Sequence, residues 1–265
     1  VSEGTLSFID GGNNLLVDGV TGALAIINED IDAGISGGVA GTLSFSITAE
    51  SGSTLAEGDY QVSLNNNNQP VQIEAAFANL DIPAGPYFEL SVFNLNLDFG
   101  ALVVTGDFSI KTVGVAPDSV DLLLGNNVSV FVGSGEGDNR VGFLVTEGTA
   151  VFYQEGGVEK AGFIEGRVQV LGIPGFTIDG VVRVEFNSFG TGIDQTFTLN
   201  GEEITLFFDS TQVDGYAAIS ATDVNFSIAD ALDLTGSFYA EYDSLTGQIL
   251  LGGTGINAST AFGAN

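Results

Sequence analysis

The sequence contains no cysteine, histidine, tryptophan or methionine among its 265 residues. Without cysteine there are no disulfides, so a stable exterior protein has to rely on packing and hydrogen bonds. Without histidine and cysteine the chain cannot form a Ser-His-Asp triad, a thiol nucleophile or the usual zinc and copper sites. The loss of these reactive side chains suits a long-lived material outside the cell, and it is equally compatible with drift in a glycine-rich lineage.

Basic residues are also scarce, because five of them face 34 acidic residues and the formal net charge is −29. Neutralising phosphates requires Lys and Arg, so we expect no nucleic-acid partner. No apolar run approaches the roughly 18 residues of a membrane helix, so we expect no membrane insertion. An acidic surface of this kind repels itself unless ions screen its charge. We therefore expect divalent cations to associate with it as screening ions. The whole basic set is Lys111, Arg140, Lys160, Arg167 and Arg183.

Paired carboxylates are the remaining candidates for catalysis, and they could in principle serve a glycosidase. The pairs are Glu202-Glu203, and Glu155 with Glu159. Adjacent residues on a strand point to opposite faces, so Glu202 and Glu203 form a poor pair. We interpret these side chains as solvated turn residues and predict a protein that is not an enzyme, with no catalytic, cofactor-binding or assigned metal-binding residues.

Two acidic loops carry oxygen ligands of the type that calcium prefers. The segment from Asn28 to Gly34 includes Asp30 and Asp32, and the segment from Gly133 to Asp138 resembles half of a calcium-binding nonapeptide. Neither motif is complete, so calcium binding by Asp30, Asp32 or Asp138 stays open. Loose screening of the acidic surface by cations is the favoured alternative.

Three Asn-x-Ser triplets match the acceptor motif for N-linked glycans, and they begin at Asn127, Asn225 and Asn257. Their flanks are apolar. We prefer a structural interpretation, in which each Asn ends a tight turn or binds the backbone through its amide. Whether these residues carry glycans stays open.

The hydrophobic pattern alternates with a period of two, which places one face of a sheet on a core. Asn200-Gly201 separates two such runs and predicts a two-residue hairpin turn with positive φ at both residues. Two continuous apolar runs, Leu122 to Leu124 and Ile249 to Leu251, predict strands buried on both faces. The chain is therefore predicted to be all-β, an antiparallel hairpin-built β-sandwich or β-solenoid-like array. Turns are predicted at Asp10 to Asn14, Asn65 to Pro70, Gly125 to Asn127 and Glu155 to Gly157.

An internal repeat of about 130 residues runs through the sequence. Ala101 to Phe108 returns as Ala231 to Phe238, and Asn127-Val128-Ser129 returns as Asn257-Ala258-Ser259. A weaker match at a shift of 122 or 123 relates the Gly58, Val62 and Asn65 region to Gly180, Val184 and Asn187. Repetition at a fixed period is typical of arrays and solenoids. We expect Phe108 and Phe238 to occupy equivalent buried positions.

The repeat predicts how the chain is organised. Residues 1–100 form a first repeat that is incomplete at its start, 101–230 form a second, and 231–265 begin a third. Residues 1–100 of a neighbouring copy could complete the third. We therefore expect either a segment of a longer series or a subunit whose ends complete one another in a polymer.

The recurring blocks, with Gly-x-Phe followed by an apolar strand and then Gly-Asn-Asn-Val-Ser or Gly-Ile-Asn-Ala-Ser, resemble a known class of sequence. They are similar to the β-rich tandem repeats of very large secreted bacterial proteins, of the hemolysin-type or RTX-adhesin-like kind. The resemblance covers residues 101–133 and 231–263, and 142–187 loosely. It implies an extracellular structural or adhesive module with no catalytic residue.

The leading functional hypothesis is an extracellular structural protein, either a repeat segment or a head-to-tail filament subunit that associates with itself. The alternative is a calcium-dependent adhesin module that binds glycans or another cell surface. Both predict an extracellular or cell-surface location.

Overall fold

The structure is a computed structural model, and it describes residues 6–10, 13–49, 57–75, 78–99, 101–114, 119–229, 231–243 and 246–260. It is built from antiparallel strands in hairpins, which confirms the all-β class and the hairpin construction predicted from the sequence. In the described part of the chain, no helix is long and apolar enough to span a membrane. The strands are β1 (Leu6–Asp10), β2 (Asn13–Ile27), β3 (Gly38–Ala49), β4 (Glu57–Asn65), β5 (Val71–Ala75), β6 (Ala78–Ile82), β7 (Tyr87–Asp98), β8 (Leu102–Val113), β9 (Val120–Ser134), β10 (Val141–Glu155), β11 (Glu159–Leu171), β12 (Phe176–Asn187), β13 (Ile193–Leu199), β14 (Glu202–Phe208), β15 (Tyr216–Ile228), β16 (Leu232–Asp243) and β17 (Gln248–Ser259).

Most strands follow one another in the sheet in the order in which they occur in the chain. The order is β1-β2-β3-β4-β7-β8-β9-β10-β11-β12-β15-β16-β17. The four remaining strands form two separate hairpins, β5-β6 and β13-β14. Each hairpin is inserted between two strands that are neighbours in the sheet, so the sheet continues across the insertion.

The chain divides into two compact units, which are described in turn. One unit comprises Val1–Asp98, Gly106–Leu124 and Tyr153–Val158, and the other comprises Phe99–Thr105, Gly125–Phe152 and Glu159–Asn265. We call them the first unit and the second unit.

In the first unit, the hairpin β5-β6 covers one face of the sheet. Its buried side chains Val71, Leu80 and Ile82 pack with Ala25 of β2 and Ala40 of β3. Small residues on the sheet let the hairpin approach closely, and the burial of these apolar side chains stabilises the contact. Ala40 pairs with Asn65 and Asn65 pairs with Tyr87, so these three residues form one row across β3, β4 and β7.

In the second unit, the hairpin β13-β14 has its own buried side chains. Leu206 and Phe208 are almost fully buried, and the ring of Phe208 meets that of Tyr216 edge to face at 6.0 Å. Asn200 (φ 52°) and Gly201 (φ 81°) form the turn between its strands, which confirms the predicted hairpin. Ala161 pairs with Asn187 and Asn187 with Tyr216, which gives a row across β11, β12 and β15.

Three sequence predictions about the strands are wrong. Gly125 to Asn127 is not a turn but lies inside β9, where Asn127 takes φ 51°. Ile249 to Leu251 is not buried on both faces, because all three side chains are exposed on β17, the last strand of the sheet. In the other apolar run, Leu122 and Leu124 are buried while Leu123 is exposed. In this protein a continuous apolar run therefore does not indicate a strand buried on both faces. One of these runs has one buried face, and the other has no buried face.

Candidate functional site

Both copies of the repeated sequence block contain a glycine at which the strand departs from regular β geometry. Gly106 (φ 142°) and Gly236 (φ 147°) adopt a backbone conformation that strongly favours glycine. The side-chain oxygen of the residue after each glycine accepts a hydrogen bond from a main-chain N–H on the preceding strand of the sheet. The residue that donates this N–H also has a positive φ. Asp107 accepts from Asn94 at 2.9 Å, and Ser237 accepts from Asp223 at 3.3 Å. The blocks that recur in the sequence thus mark a β-bulge and its side-chain cap.

A buried asparagine anchors the loop that leads into each inserted hairpin. The amide of Asn65 donates to the carbonyls of Gln69 (2.9 Å) and Pro83 (2.7 Å), and its oxygen accepts from the N–H of Asn67 at 2.8 Å. Asn187 makes the same three kinds of bond in the second unit. These bonds join its amide to the carbonyls of Thr191 (3.4 Å) and Gln212 (2.7 Å) and its oxygen to the N–H of Phe189 (2.9 Å).

A buried tyrosine follows each hairpin, and its hydroxyl donates to a glutamate. Tyr87 donates to Glu89 on its own strand, whereas Tyr216 donates to Glu185 on the neighbouring strand at 3.1 Å. Burial raises the pKa of Tyr216 to about 12, and the nearby Glu185 adds to the shift. Burial also raises the pKa of Tyr87, with a further contribution from Glu89. These tyrosines are held neutral and serve as hydrogen-bond donors.

In the second unit, the glutamate that binds this tyrosine shares one cation with a second glutamate. Arg183 donates to Glu185 at 2.7 Å and to Glu165 at 3.4 Å, and its guanidinium lies 3.8 Å from the centre of the Phe163 ring. Lys111 and Arg140 also lie over aromatic rings, those of Tyr87 and Phe131. Arg167 pairs with Asp179 at 2.6 Å. Four of the five basic residues therefore bind groups of the sheet itself.

The carboxylate pairs considered for catalysis lie at turns and hairpin ends. Glu202 and Glu203 are both exposed at the start of β14, and Glu155 and Glu159 flank the turn between β10 and β11. Glu155 accepts a hydrogen bond from Tyr153 at 3.3 Å. These positions agree with the interpretation as turn residues.

The two acidic loops are exposed. Asp30 accepts a hydrogen bond from the N–H of Ala33 and forms a β-bridge with Ile35, so it closes a turn that also exposes Asp32. Asp138 lies in a short 3-10 turn, Gly137–Asn139. Among the described residues, no three acidic side chains are grouped so that they could hold a metal ion. The structure brings neither Asp30 with Asp32 nor Asp138 into such a group.

All three asparagines of the Asn-x-Ser triplets are exposed. The amide of Asn257 donates to the carbonyl of Gly255 at 3.0 Å, which agrees with the structural interpretation at this position. Asn127 lies at an irregular point of β9, and Asn225 lies on β15.

Phe108 and Phe238 are both partly buried, so the two positions are alike in burial but neither is fully buried. Each follows its bulge glycine by two residues. Truncation of either therefore removes less apolar contact than a fully buried Phe would lose.

Sequence reasoning missed the Ala-Asn-Tyr rows. The rows are Ala40, Asn65 and Tyr87 in the first unit, and Ala161, Asn187 and Tyr216 in the second. Corresponding members lie 121, 122 and 129 positions apart, and the match between Asn65 and Asn187 was the only one visible in the sequence. The two inserted hairpins differ in length, so the separation between the Asn and the Tyr differs between the units. A search for one fixed period therefore does not detect the Tyr match.

Comparisons with known proteins assign the chain to no family. No family model matches the chain, and neither the curated proteins nor the solved structures give a match.

Proposed function

We propose that this protein is an extracellular structural protein, a repeat segment or head-to-tail filament subunit made of antiparallel sheet, with no catalytic activity. The observation that supports this most is the Ala-Asn-Tyr row with its anchored hairpin, which occurs in both units. A functional centre is expected to be single and asymmetric, whereas a scaffold repeats its structural devices. We place the repeats at residues 1–100, 101–230 and 231–265.

Assembly through strand edges follows from the ends of the sheet. In the described part of the chain, β1 pairs with β2 only from Asn13 to Val17, and β17 has only β16 as a neighbour. An unpaired strand edge is a template for another chain. We propose that β17 of one copy pairs with the edge of β2 of the next, between Ala23 and Ile27, where β3 is the only partner strand in the described part of the chain. This contact is heterologous, so it propagates as a filament.

Electron microscopy of the purified chain at neutral pH tests this proposal. We expect unbranched filaments, which thicken when millimolar calcium or magnesium screens the charge of −29. A monodisperse population of single chains at all concentrations would contradict the filament.

The alternative, a calcium-dependent adhesin module, is separated by a second measurement. A ligand that binds the folded state raises the melting temperature according to its concentration relative to Kd. We expect calcium to shift the melting temperature no differently from magnesium at the same concentration, because both act only by screening charge. A rise with calcium that Asp30→Asn removes would instead favour the adhesin.

A further inference from the structure

The second unit has a patch on one side of its sheet that carries no charged residue, and the register defines it. On the side that faces away from Asn187 and Tyr216, three rows cross β11, β12, β15, β16 and β17. We call these fifteen residues the outer face. The rows are Gly162, Phe186, Ala217, Tyr242, Ile249; Ile164, Val184, Ile219, Ala240, Leu251; and Gly166, Val182, Ala221, Phe238, Gly253.

The opposite side of the same strands carries the charges. There Glu165 pairs with Arg183 across β11 and β12. Glu185 and Glu241 lie in one row, because each of them pairs with Ala218. Strand residues alternate between the two faces, so this separation is encoded by the sequence at every second position. The outer face is nevertheless open: Leu251 is 77% exposed and Ile164 is 66% exposed.

We propose that the outer face is an interface with the outer face of a second copy of this chain, packed sheet on sheet. The charge of −29 opposes association of two copies through most surfaces. None of the residues of the outer face is charged, so packing there places no like charges directly against one another, and salt screens the charges on the far sides of the two sheets. Two of its three rows place a large side chain beside a small one, with Phe186 beside Ala217 and Phe238 beside Ala221, which suits interdigitation of two sheets about 10 Å apart.

This interface does not depend on the proposed filament. Pairing of β17 with a second chain uses main-chain groups at a strand edge, whereas the outer face uses side chains. Two-fold pairing of one face with itself closes as a dimer. In a filament it would join two protofilaments side by side.

Sedimentation of the full chain over a dilution series at neutral pH and about 0.15 M salt tests the inference. We expect association of the wild type in pairs. Ile164→Asn and Ile219→Asn should each weaken pairing at least tenfold, since each removes one apolar side chain from the interface. Leu250→Asn is the control, because Leu250 is 51% exposed and neighbours Leu251 on the opposite side of β17. It should change the dissociation constant less than twofold.

Circular dichroism and melting of each variant establish that it folds. Ile164 is the more exposed of the two positions, so Ile164→Asn keeps the test valid if Ile219→Asn unfolds the chain. A wild type that stays single at all concentrations would overturn the inference. An equal effect of Leu250→Asn would do the same. So would a single chain that instead binds neutral phosphatidylcholine vesicles through this face.

The outcomes also separate this inference from the filament. Filaments one chain wide that Ile164→Asn leaves unchanged would overturn the paired face and leave edge pairing intact. Dimers that Ile164→Asn dissociates, without filaments in the microscope, would support the paired face and contradict edge pairing.

Discussion

Asp107 accepts a hydrogen bond from the main-chain N–H of Asn94, a residue with φ 53° on the preceding strand of the sheet. Ser237 accepts the corresponding bond from Asp223, whose φ is 52°. A β-bulge leaves a main-chain group outside the regular ladder, and a side-chain acceptor beside it satisfies that group. The short Thr-Gly-Asp/Ser-Phe block recurs because a glycine and an acceptor are needed at the same place.

We predict that Gly236→Ala destabilises the protein by about 1 to 3 kcal/mol, because a side chain at a φ of 147° is strained. A Cβ there would also lie 3.0 Å from the Cα of Ile256. Gly190→Ala is the control, since its Cβ would meet only a carboxylate oxygen of Asp214 at 3.4 Å. Urea unfolding measures both. Equal stability of the two variants would show that the bulge is not a constraint.

The buried asparagines should be among the most sensitive polar positions. Asn187→Ala leaves two carbonyls and one N–H without their partner, and we expect a loss of about 2 to 3 kcal/mol. Asn187→Asp keeps the acceptor for Phe189 but places a buried carboxylate against two carbonyl oxygens, so we expect a loss at least as large. The exposed Asn225→Ala should change the unfolding free energy by less than about 0.5 kcal/mol. A loss at Asn187 no larger than at Asn225 would contradict the anchoring role.

Leu206 and Phe207 are neighbours on β14 with opposite exposure. Leu206 is fully buried, whereas Phe207 is 56% exposed. Leu206→Ala should therefore cost about 2 to 5 kcal/mol through lost burial and the cavity left behind. Phe207→Ala should cost well under half of that. Thermal or urea unfolding of both variants tests whether the hairpin is part of the core.

Alkaline pH should destabilise the protein through its buried tyrosines. The pKa of Tyr216 rises to about 12 in the folded state from its ordinary value of 10.0. Between these values the unfolded chain releases the phenolic proton while the folded chain keeps it, so the unfolding free energy falls as pH increases. Below pH 10 this contribution is fully present. Tyr216→Phe should make the decline between pH 10 and 12 shallower, whereas Tyr239→Phe, at an exposed tyrosine, is the control.

The sequence predicted those features that depend on neighbouring residues alone, such as turns and strands. Asn200-Gly201 predicted its turn because both residues tolerate positive φ, and the hydrophobic period of two predicted that the chain is built from strands. The prediction failed at Gly125 to Asn127, where residues typical of turns lie inside β9 and Asn127 has a positive φ. A turn and an irregular point of a strand both use positive φ, so composition alone does not separate them.

The sequence by itself determined that the chain is all-β, that its surface is acidic and that certain blocks recur, because these follow from periodicity, charge and local backbone preference. Only the tertiary structure showed that Ala, Asn and Tyr form one row beneath each hairpin, since these residues lie on three different strands. It also decided that Ile249 to Leu251 is exposed. Whether an apolar residue is buried depends on what the rest of the chain places over it, and here β17 is the last strand of its sheet.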